Sequence, residues 1–201
     1  MQSHKIAIIN YGMGNITSLA NAIRHLGHEP QLIGKPEDVT GYDTLLLPGV
    51  GAFPNAMQRL HESGMYEAIR EAAFSGKKII GICLGMQLLF SQSSEFGITK
   101  GLDLIAGEVK PFSTQINLKV PHMGWNDIQA KDTTFSELEG DYYFVHSFYA
   151  QPKNPEHVLF ESQYGIPFCA AVRRNDNIFG FQFHPEKSQQ LGLNLLQAIL
   201  C

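Results

Sequence analysis

The chain has 201 residues with a formal net charge of −4, and 44% of its residues are hydrophobic while 17% are charged. This length and composition suit one compact domain with a substantial apolar core. The acidic balance disfavours non-specific binding to nucleic acid or to an anionic membrane surface, and no stretch approaches the roughly 18 apolar residues that a membrane span needs.

The first hundred residues alternate short apolar runs with amphipathic segments. The runs predict four strands, at 6–9, 31–33, 44–47 and 78–82. The segments between and after them predict helices, at 15–26, at 53–75 with a break at Ser63-Gly64, and from Leu84 to about Gln92. Strands that are buried on both faces and alternate with helices indicate a parallel sheet with right-handed crossovers.

Beyond Gly101 the pattern changes to short alternating segments separated by Gly, Pro and Asn-Asp turns. These segments predict strands at 118–120, 142–148, 158–162, 168–172 and 178–183, and the chain closes with a helix at 189–200. No linker, repeat or low-complexity segment interrupts the chain. We therefore expect residues 1–201 to form a single α/β domain, with a mostly parallel central sheet flanked by helices and a more antiparallel second half.

Cys83 stands between two glycines where the strand 78–82 ends. The spacing Gly81-Ile82-Cys83-Leu84-Gly85 is the thiol counterpart of the G-x-S-x-G turn, in which small neighbours let a nucleophile occupy a tight strand-to-helix corner. A helix that begins beneath the sulfur favours the thiolate, and the N–H of Leu84 is a candidate oxyanion donor. A buried structural cysteine is the alternative interpretation.

The best candidate for a base is His184, which follows the alternating apolar run at 178–183. The end of a strand is where an α/β sheet carries its chemistry. Glu186, two residues later, can orient the imidazole, which gives a Cys–His–Glu arrangement of nucleophile, base and orienting carboxylate. The spacing of the other histidines predicts no metal site.

Two glycine-containing turns and the spacing of the cysteines carry further information. Pro48-Gly49-Val50-Gly51 follows the third strand and can supply a second oxyanion donor, although a plain tight turn is the alternative. Asn10-Tyr11-Gly12-Met13-Gly14-Asn15 lacks the third glycine of a dinucleotide-binding loop, so we expect no cofactor. The cysteines at 83, 169 and 201 are too far apart for a disulfide framework, which favours a reducing cytoplasm.

Taken together, these motifs resemble a known enzyme family. The segments 48–51, 81–87 and 184–186 look like those of class I (triad) glutamine amidotransferases. Residues 10–15, Pro121-His122-Met123-Gly124-Trp125-Asn126 and 185–188 narrow the resemblance to the glutaminase subunit of imidazole glycerol phosphate synthase, an enzyme of histidine biosynthesis. The resemblance runs from residue 5 to the end of the chain, and it implies the flavodoxin-like fold of class I amidotransferases.

The resemblance implies a role for each matching residue. Cys83 attacks the side-chain amide of glutamine, His184 transfers the proton to ammonia, and Glu186 orients His184. The N–H groups of Val50 and Leu84 form the oxyanion hole, and the Val50 peptide flips before it points inward. The glutamine substrate is held by Gly51, Gln87, Ser147 and Phe148. For Gln87 and Ser147, packing within the domain is the alternative.

The resemblance also implies a partner, a (β/α)8 cyclase subunit that consumes the ammonia within a heterodimer. Its products are imidazole glycerol phosphate and aminoimidazole carboxamide ribotide. The residues that match interface positions are Pro121, His122, Met123, Trp125 and Lys187. We expect the segment 121–125 to form a surface loop. Trp125 is alternatively a core residue of the domain, and His122 is structural or interfacial, not catalytic.

Two other functions stay open on the sequence. A paralogous amidotransferase subunit would deliver ammonia to a synthase of cell-surface sugar biosynthesis, with the same glutaminase chemistry. A cysteine redox sensor or chaperone on a related fold would keep the reactive thiol but would not need the His184-Pro185-Glu186 segment, which counts against this class.

Overall fold

The computed structural model describes residues 4–112 and 116–200 of the chain. Within these residues, thirteen strands pair into one sheet. The strands are β1 (Ile6–Ile9), β2 (Gln31–Ile33), β3 (Thr44–Gly49), β4 (Lys78–Cys83), β5 (Phe90–Ser93), β6 (Thr99–Lys100), β7 (Ile105–Pro111), β8 (His122–Ala130), β9 (Gly140–His146), β10 (Phe148–Pro152), β11 (Val158–Tyr164), β12 (Ile166–Arg174) and β13 (Ile178–Phe181).

Five helices are found in the described part of the chain: α1 (Ile16–His25), α2 (Phe53–Glu62), α3 (Met65–Phe74), α4 (Leu84–Leu88) and α5 (Gln189–Leu200). Helix α1 begins after Asn15, whose side chain accepts a hydrogen bond from the Ser18 N–H at 3.4 Å. Helices α2 and α3 are separated by Gly64, which has a positive φ of 72°, at the break that the sequence predicts. All the helices of the described residues are too short or too polar to traverse a lipid bilayer.

The strand order explains the change of pattern along the sequence. The main path runs β2-β1-β3-β4-β13-β12-β10-β7-β5-β6, and it is parallel from β2 to β13. From β13 onward the pairs β13–β12, β12–β10 and β10–β7 are antiparallel. Strands β11, β8 and β9 form an antiparallel branch that leaves the path at β12. The α/β architecture with a parallel first half and an antiparallel second half is confirmed.

The inner parallel strands β1, β3 and β4 are mostly apolar because both faces of the sheet are covered there. Ala7 and Ile9 of β1 point into one core cluster, which also holds the buried residues of α2 and α3. Ile6 and Ile8 point into the other, which holds those of α1 and α5. Alternation of polar and apolar residues is therefore absent from these strands, as the sequence indicated.

Three sequence predictions differ from the structure. The helix predicted at 84–92 ends at Leu88, because Phe90–Ser93 pairs as strand β5 with β7, with Phe90 opposite Ile105. The strand predicted at 118–120 is irregular, and both Leu118 and Val120 are exposed. Residues 122–125, expected within a surface loop, instead open strand β8.

Candidate active site

The sequence-predicted catalytic residues meet at the carboxyl ends of β3, β4 and β13, which are neighbours in the sheet. A cavity of about 360 Å³ opens there. Its lining comprises Val50, Gly51, Cys83, Leu84, Gln87, Glu95, Pro121, Val145, His146, Ser147, Phe148 and His184. A larger cavity of about 880 Å³ is lined by residues such as His4, Glu29 and Tyr42, and it contains none of the predicted site residues. The chemistry therefore belongs to the smaller cavity.

Cys83 occupies a strained corner between β4 and α4. Its backbone has φ 55° and ψ −111°, a region that a residue with a side chain rarely adopts. The corner closes because its neighbours are glycines: a Cβ on Gly85 would lie 1.7 Å from the carbonyl oxygen of Leu47, and one on Gly81 would lie 2.5 Å from the carbonyl oxygen of Gly85. The spacing found in the sequence thus has a steric cause.

The sulfur of Cys83 lies between two polar contacts. Its Sγ is 3.8 Å from the carbonyl oxygen of Val145 and 3.9 Å from Nε2 of Gln182. Although the residue is only 7% exposed, it lines the cavity and is not enclosed by apolar side chains alone. Helix α4 below it has just five residues, so its dipole stabilises a thiolate less than the longer helix expected from the sequence would.

His184 is held by Glu186 in a buried pair. The Nδ1 atom of His184 and Oε1 of Glu186 are 2.8 Å apart, and both side chains are less than 5% exposed. Burial alone would lower the pKa of His184, but the negative charges and hydrogen-bonding capacity of Cys83 and Glu186 outweigh it and raise the pKa to about 9. His184 is therefore stabilised as an imidazolium when Cys83 is ionised.

The second ring nitrogen of His184 is available for chemistry. Among the described residues, Nε2 of His184 has no hydrogen-bond partner, so it is free to exchange a proton with Cys83 or with a substrate. The backbone fixes the ring from behind, because the His184 N–H donates to the carbonyl oxygen of Tyr143 at 2.9 Å and the Ser188 hydroxyl donates to the His184 carbonyl at 2.7 Å.

The two residues predicted to supply the oxyanion donors line the cavity together with Cys83. Leu84 is the first residue of α4 and is buried, whereas Val50 follows β3 and is 45% exposed. The turn before Val50 is closely packed, because a Cβ on Gly49 would lie 2.8 Å from the Tyr11 hydroxyl oxygen. Gly51, after it, has φ 97°, a conformation that favours glycine. The Val50 peptide therefore stands between two positions that require glycine.

Gln87, Ser147 and Phe148 border the same cavity. The Nε2 atom of Gln87 donates to the carbonyl oxygen of Phe148 at 3.0 Å and to Oε1 of Gln182 at 2.9 Å. Both N–H groups of the Gln87 amide are thus occupied by the protein, and only its carbonyl oxygen remains for a ligand. The packing interpretation of Gln87 and the ligand interpretation are therefore compatible.

Glu95 is the one carboxylate among the residues that line the cavity, and it was not predicted from the sequence. Its Oε2 accepts a hydrogen bond from the Phe53 N–H, the first of helix α2, at 2.7 Å. No motif surrounds Glu95 in the sequence, and its place in the site depends on strand β5, which periodicity did not reveal. Gln182, which contacts the sulfur, was also missed because it reads as one position of an alternating strand.

Of the residues expected at a partner interface, Pro121 lines the cavity, and all the others except His122 are exposed. Met123 and Trp125 are 62% and 49% exposed. Lys187 is exposed, and its Nζ lies 5.8 Å from the centre of the Tyr143 ring. His122 is buried, so it cannot contact a partner directly, and the structural interpretation fits it. The core interpretation of Trp125 does not fit its exposure.

Comparisons with known proteins agree with this geometry. The family described as glutamine amidotransferase class-I matches residues 7–198. A protein from Wolinella succinogenes named imidazole glycerol phosphate synthase subunit HisH is 49% identical over 199 residues, which cover 96% of this chain and 97% of that protein. A protein of the same name from Moorella thermoacetica is 46% identical, with 96% and 92% covered.

A solved structure has the same fold as this chain. The structure of PurLQS from Thermotoga maritima superposes with a TM-score of 0.76 at 18% identity, covering 99% of this chain and 98% of that one. The fold, the buried pair of His184 and Glu186 and the full-length relatives all agree. The chain belongs to the class I glutamine amidotransferase family, and within it to the subunits named HisH.

Proposed function

We propose that this chain is the glutaminase subunit of an imidazole glycerol phosphate synthase, hydrolysing glutamine to glutamate and ammonia. The observation that carries the proposal is the shared cavity of Cys83 and His184, in which Glu186 holds the imidazole at 2.8 Å. A redox sensor has no need of this pair. Full-length relatives that carry the synthase name favour the histidine pathway over the paralogous sugar pathway.

In the first half of the reaction, the sulfur of Cys83 attacks the side-chain amide carbon of glutamine. The carbonyl oxygen becomes an oxyanion, which the backbone N–H groups of Val50 and Leu84 stabilise. His184 then donates its proton from Nε2 to the amide nitrogen. The carbon–nitrogen bond breaks, ammonia leaves, and a γ-glutamyl thioester remains on Cys83.

In the second half, a water molecule replaces the ammonia. His184 removes its proton, the resulting hydroxide adds to the thioester carbon, and glutamate leaves as the sulfur becomes a thiolate again. Glu186 keeps Nε2 directed at the reacting atoms throughout, because Nδ1 stays bound to the carboxylate. The raised pKa of His184 matches a ring that must hold a proton while a thiolate forms beside it.

The amino-acid end of glutamine carries a positive and a negative charge, and the cavity offers partners for both. The Glu95 carboxylate lies where it can receive the ammonium group, and the Gln87 carbonyl oxygen can accept a further N–H. Gly51, Ser147 and Phe148 supply backbone groups for the carboxylate.

We further propose a (β/α)8 cyclase subunit as the partner, in a heterodimer that passes ammonia directly to the second active site. Free ammonia is protonated and diluted in solution, so the cavity has to open onto the enzyme that consumes it. The exposed side chains of Met123 and Trp125, with Pro121 on the cavity wall, suit that contact. Because a nucleophilic thiol has to stay reduced, we place the complex in the cytoplasm, with residues 1–201 as one domain.

The test of this function is the substitution Cys83→Ala in the complex with the cyclase subunit. Glutamine-dependent formation of imidazole glycerol phosphate should be lost, whereas synthesis from added ammonium salt should continue, because only the ammonia source is removed. Cys169→Ala is the matched control, since that thiol is buried away from the cavity. Loss of both activities with Cys83→Ala, or no glutamate release by the unmodified complex, contradicts the proposal.

A further inference from the structure

Gln182 is a buried amide that the mechanism above does not use. It lies between Phe181 and Phe183 and has no exposed surface. An amide in such surroundings destabilises the fold unless its donors and acceptor are paired. Its backbone N–H donates to the carbonyl oxygen of Ala170 at 2.8 Å, so the strand accounts for the main chain but not for the side chain.

The side chain of Gln182 is directed at the nucleophile. Its Nε2 lies 3.9 Å from Sγ of Cys83, and its Oε1 accepts the hydrogen bond from Gln87 at 2.9 Å. Sulfur is large, so a hydrogen bond to it is longer than one to oxygen. An N–H at this position favours the thiolate, whereas the Val145 carbonyl, 3.8 Å from the same sulfur, accepts only from the protonated thiol.

The chain of neighbours determines which end of the Gln182 amide faces the sulfur. The carbonyl oxygen of Phe148 can only accept, so Gln87 must present its NH2 group there. The second N–H of Gln87 then points at Gln182, and the atom that receives it must be an oxygen. Because the oxygen of the Gln182 amide faces Gln87, its NH2 group is the end that faces Cys83.

The same carbonyl oxygen anchors a second branch. Nδ1 of His146 lies 2.8 Å from the Phe148 oxygen, so that nitrogen carries the proton. Nε2 of His146 must then accept from Nδ1 of His122, 2.9 Å away, and Nε2 of His122 accepts from the Asn126 side chain at 3.3 Å. Every bond has one possible direction as long as both rings are neutral, and both lone pairs of the Phe148 oxygen are occupied.

We propose that Gln182 is a hydrogen-bond donor to the nucleophile, which it holds as a thiolate in the attacking position. The Phe148 carbonyl, acting through Gln87, fixes the direction of that donor, and the branch from Asn126 on strand β8 through His122 and His146 ends on the same carbonyl. The assignment deepens the proposed function and rests on it for its catalytic meaning. The Gln182 N–H adds to the stabilisation of the Cys83 thiolate, which the five-residue helix α4 provides only in part.

The other titratable groups that face Cys83 are few among the described residues. His184 faces it from the end of β13, with Glu186 behind the ring. Tyr11, after β1, donates its hydroxyl to the Pro48 carbonyl at 2.9 Å, and burial, reinforced by the charge of Cys83, raises the pKa of Tyr11, which keeps the phenol neutral. His146 and Glu95 line the same cavity. Because a substitution at Gln182 alters none of these groups, a change in the acidity of the thiol is measured against the same titrating neighbours in both chains.

The test is the pH dependence of Cys83 alkylation in the full chain carrying Gln182→Met. This substitution retains length and volume but removes the N–H donor. Iodoacetamide labelling of the Cys83 peptide, followed by mass spectrometry from pH 5 to 10, should show a rate at pH 7 about tenfold lower and a midpoint displaced toward higher pH. Gln190→Met, at an exposed position of α5, is the matched control and should leave the profile unchanged. A wild-type profile in a folded Gln182→Met chain overturns the proposal.

A measurement on the unaltered protein covers the case in which Gln182→Met does not fold. In a 15N-labelled chain, a side-chain amide proton of Gln182 should move downfield as Cys83 ionises, while the exposed Gln190 amide stays constant. An amide signal of Gln182 that does not follow the thiol overturns the proposal. Alkylation does not require glutamine hydrolysis, so a displaced profile in Gln182→Met together with no glutamate release by the unmodified complex would retain this inference and refute the proposed function.

Discussion

Acidification should destabilise this protein through the buried pair of His122 and His146. The two rings are hydrogen-bonded at 2.9 Å, and His122 is stacked between Phe144 and Tyr164. Burial lowers the pKa of His146 to about 3 and that of His122 to about 4, from an ordinary value of 6.5. In the unfolded chain, both rings take up a proton near the ordinary value, whereas in the folded chain they stay neutral.

The sign and size of the effect follow from this difference. Stability is fully present above pH 6.5 and is lost as the pH falls toward the folded pKa values, because the unfolded state then binds more protons. Between pH 7 and pH 5, His146 should lower the free energy of unfolding by roughly 2 kcal/mol. His122 should add slightly less, since its folded pKa of about 4 lies closer to the ordinary value. His184 offsets only part of this loss: with a folded pKa of about 9, its contribution rises by roughly 0.8 kcal/mol as the pH falls from 7 to 5 and is constant only well below pH 6.5.

The assay is urea unfolding at pH 7, 6 and 5, followed by circular dichroism. His122→Phe places a non-titrating ring in the same stack and should weaken the pH dependence by about half, although it lowers stability at neutral pH because His146 loses a partner. His25→Gln, at an exposed position in α1, is the control and should retain the full dependence. A wild-type stability that changes by less than about 1 kcal/mol over this range, or an undiminished slope in His122→Phe, refutes the reasoning.

Three substitutions test other parts of the structure. Glu186→Gln should lower glutaminase kcat by about 20- to 300-fold while the fold is kept, because the carboxylate provides a large share of the roughly 3 kcal/mol that favours the imidazolium; stopped-time glutamate assays measure it. Gly85→Ala should destabilise the chain by more than about 3 kcal/mol, since the new Cβ meets the Leu47 carbonyl at 1.7 Å; thermal melts measure it. Trp125→Ala should weaken cyclase binding by about 2 kcal/mol, as measured by calorimetry.

Each of these substitutions has a control elsewhere on the chain. Glu137→Gln removes an exposed carboxylate, Gly41→Ala adds a methyl group where no atom lies within 4 Å, and Phe74→Ala removes an aromatic ring that is 64% exposed on α3. An unchanged kcat in Glu186→Gln would exclude the carboxylate from the mechanism. A Gly85→Ala chain as stable as Gly41→Ala would contradict the steric account of the corner, and equal binding by the Trp125 and Phe74 variants would remove the tryptophan from the interface.

The sequence predicted the parallel half of the fold well because local patterns determine it. Unbroken apolar runs flanked by turns mark β1 and β4, and each run is buried on both faces. Strand β5 was mistaken for helix because its identity depends on pairing with β7, fifteen residues away, where Phe90 meets Ile105. Strand β8 was mistaken for a loop because its alternation is inverted: His122 points inward, whereas Met123 and Trp125 point outward.

The residues of the candidate site also differ in whether a local sequence pattern predicts them. Cys83 and His184 carry local signals, a glycine-flanked corner and a strand that stops at a proline, and the structure brings both to one cavity. Glu95 and Gln182 carry none, because each acquires its partner from a distant segment: the Phe53 N–H for one and the Cys83 sulfur for the other. Pairings of this kind arise only when the fold is assembled.

The inverted alternation of β8 has a practical consequence for handling the protein. A chain that presents methionine and tryptophan on an otherwise polar strand should be retained on a hydrophobic-interaction resin and should self-associate when concentrated alone. Addition of the cyclase should release it from the resin. Co-expression of the two chains is therefore the appropriate route to material for crystallisation.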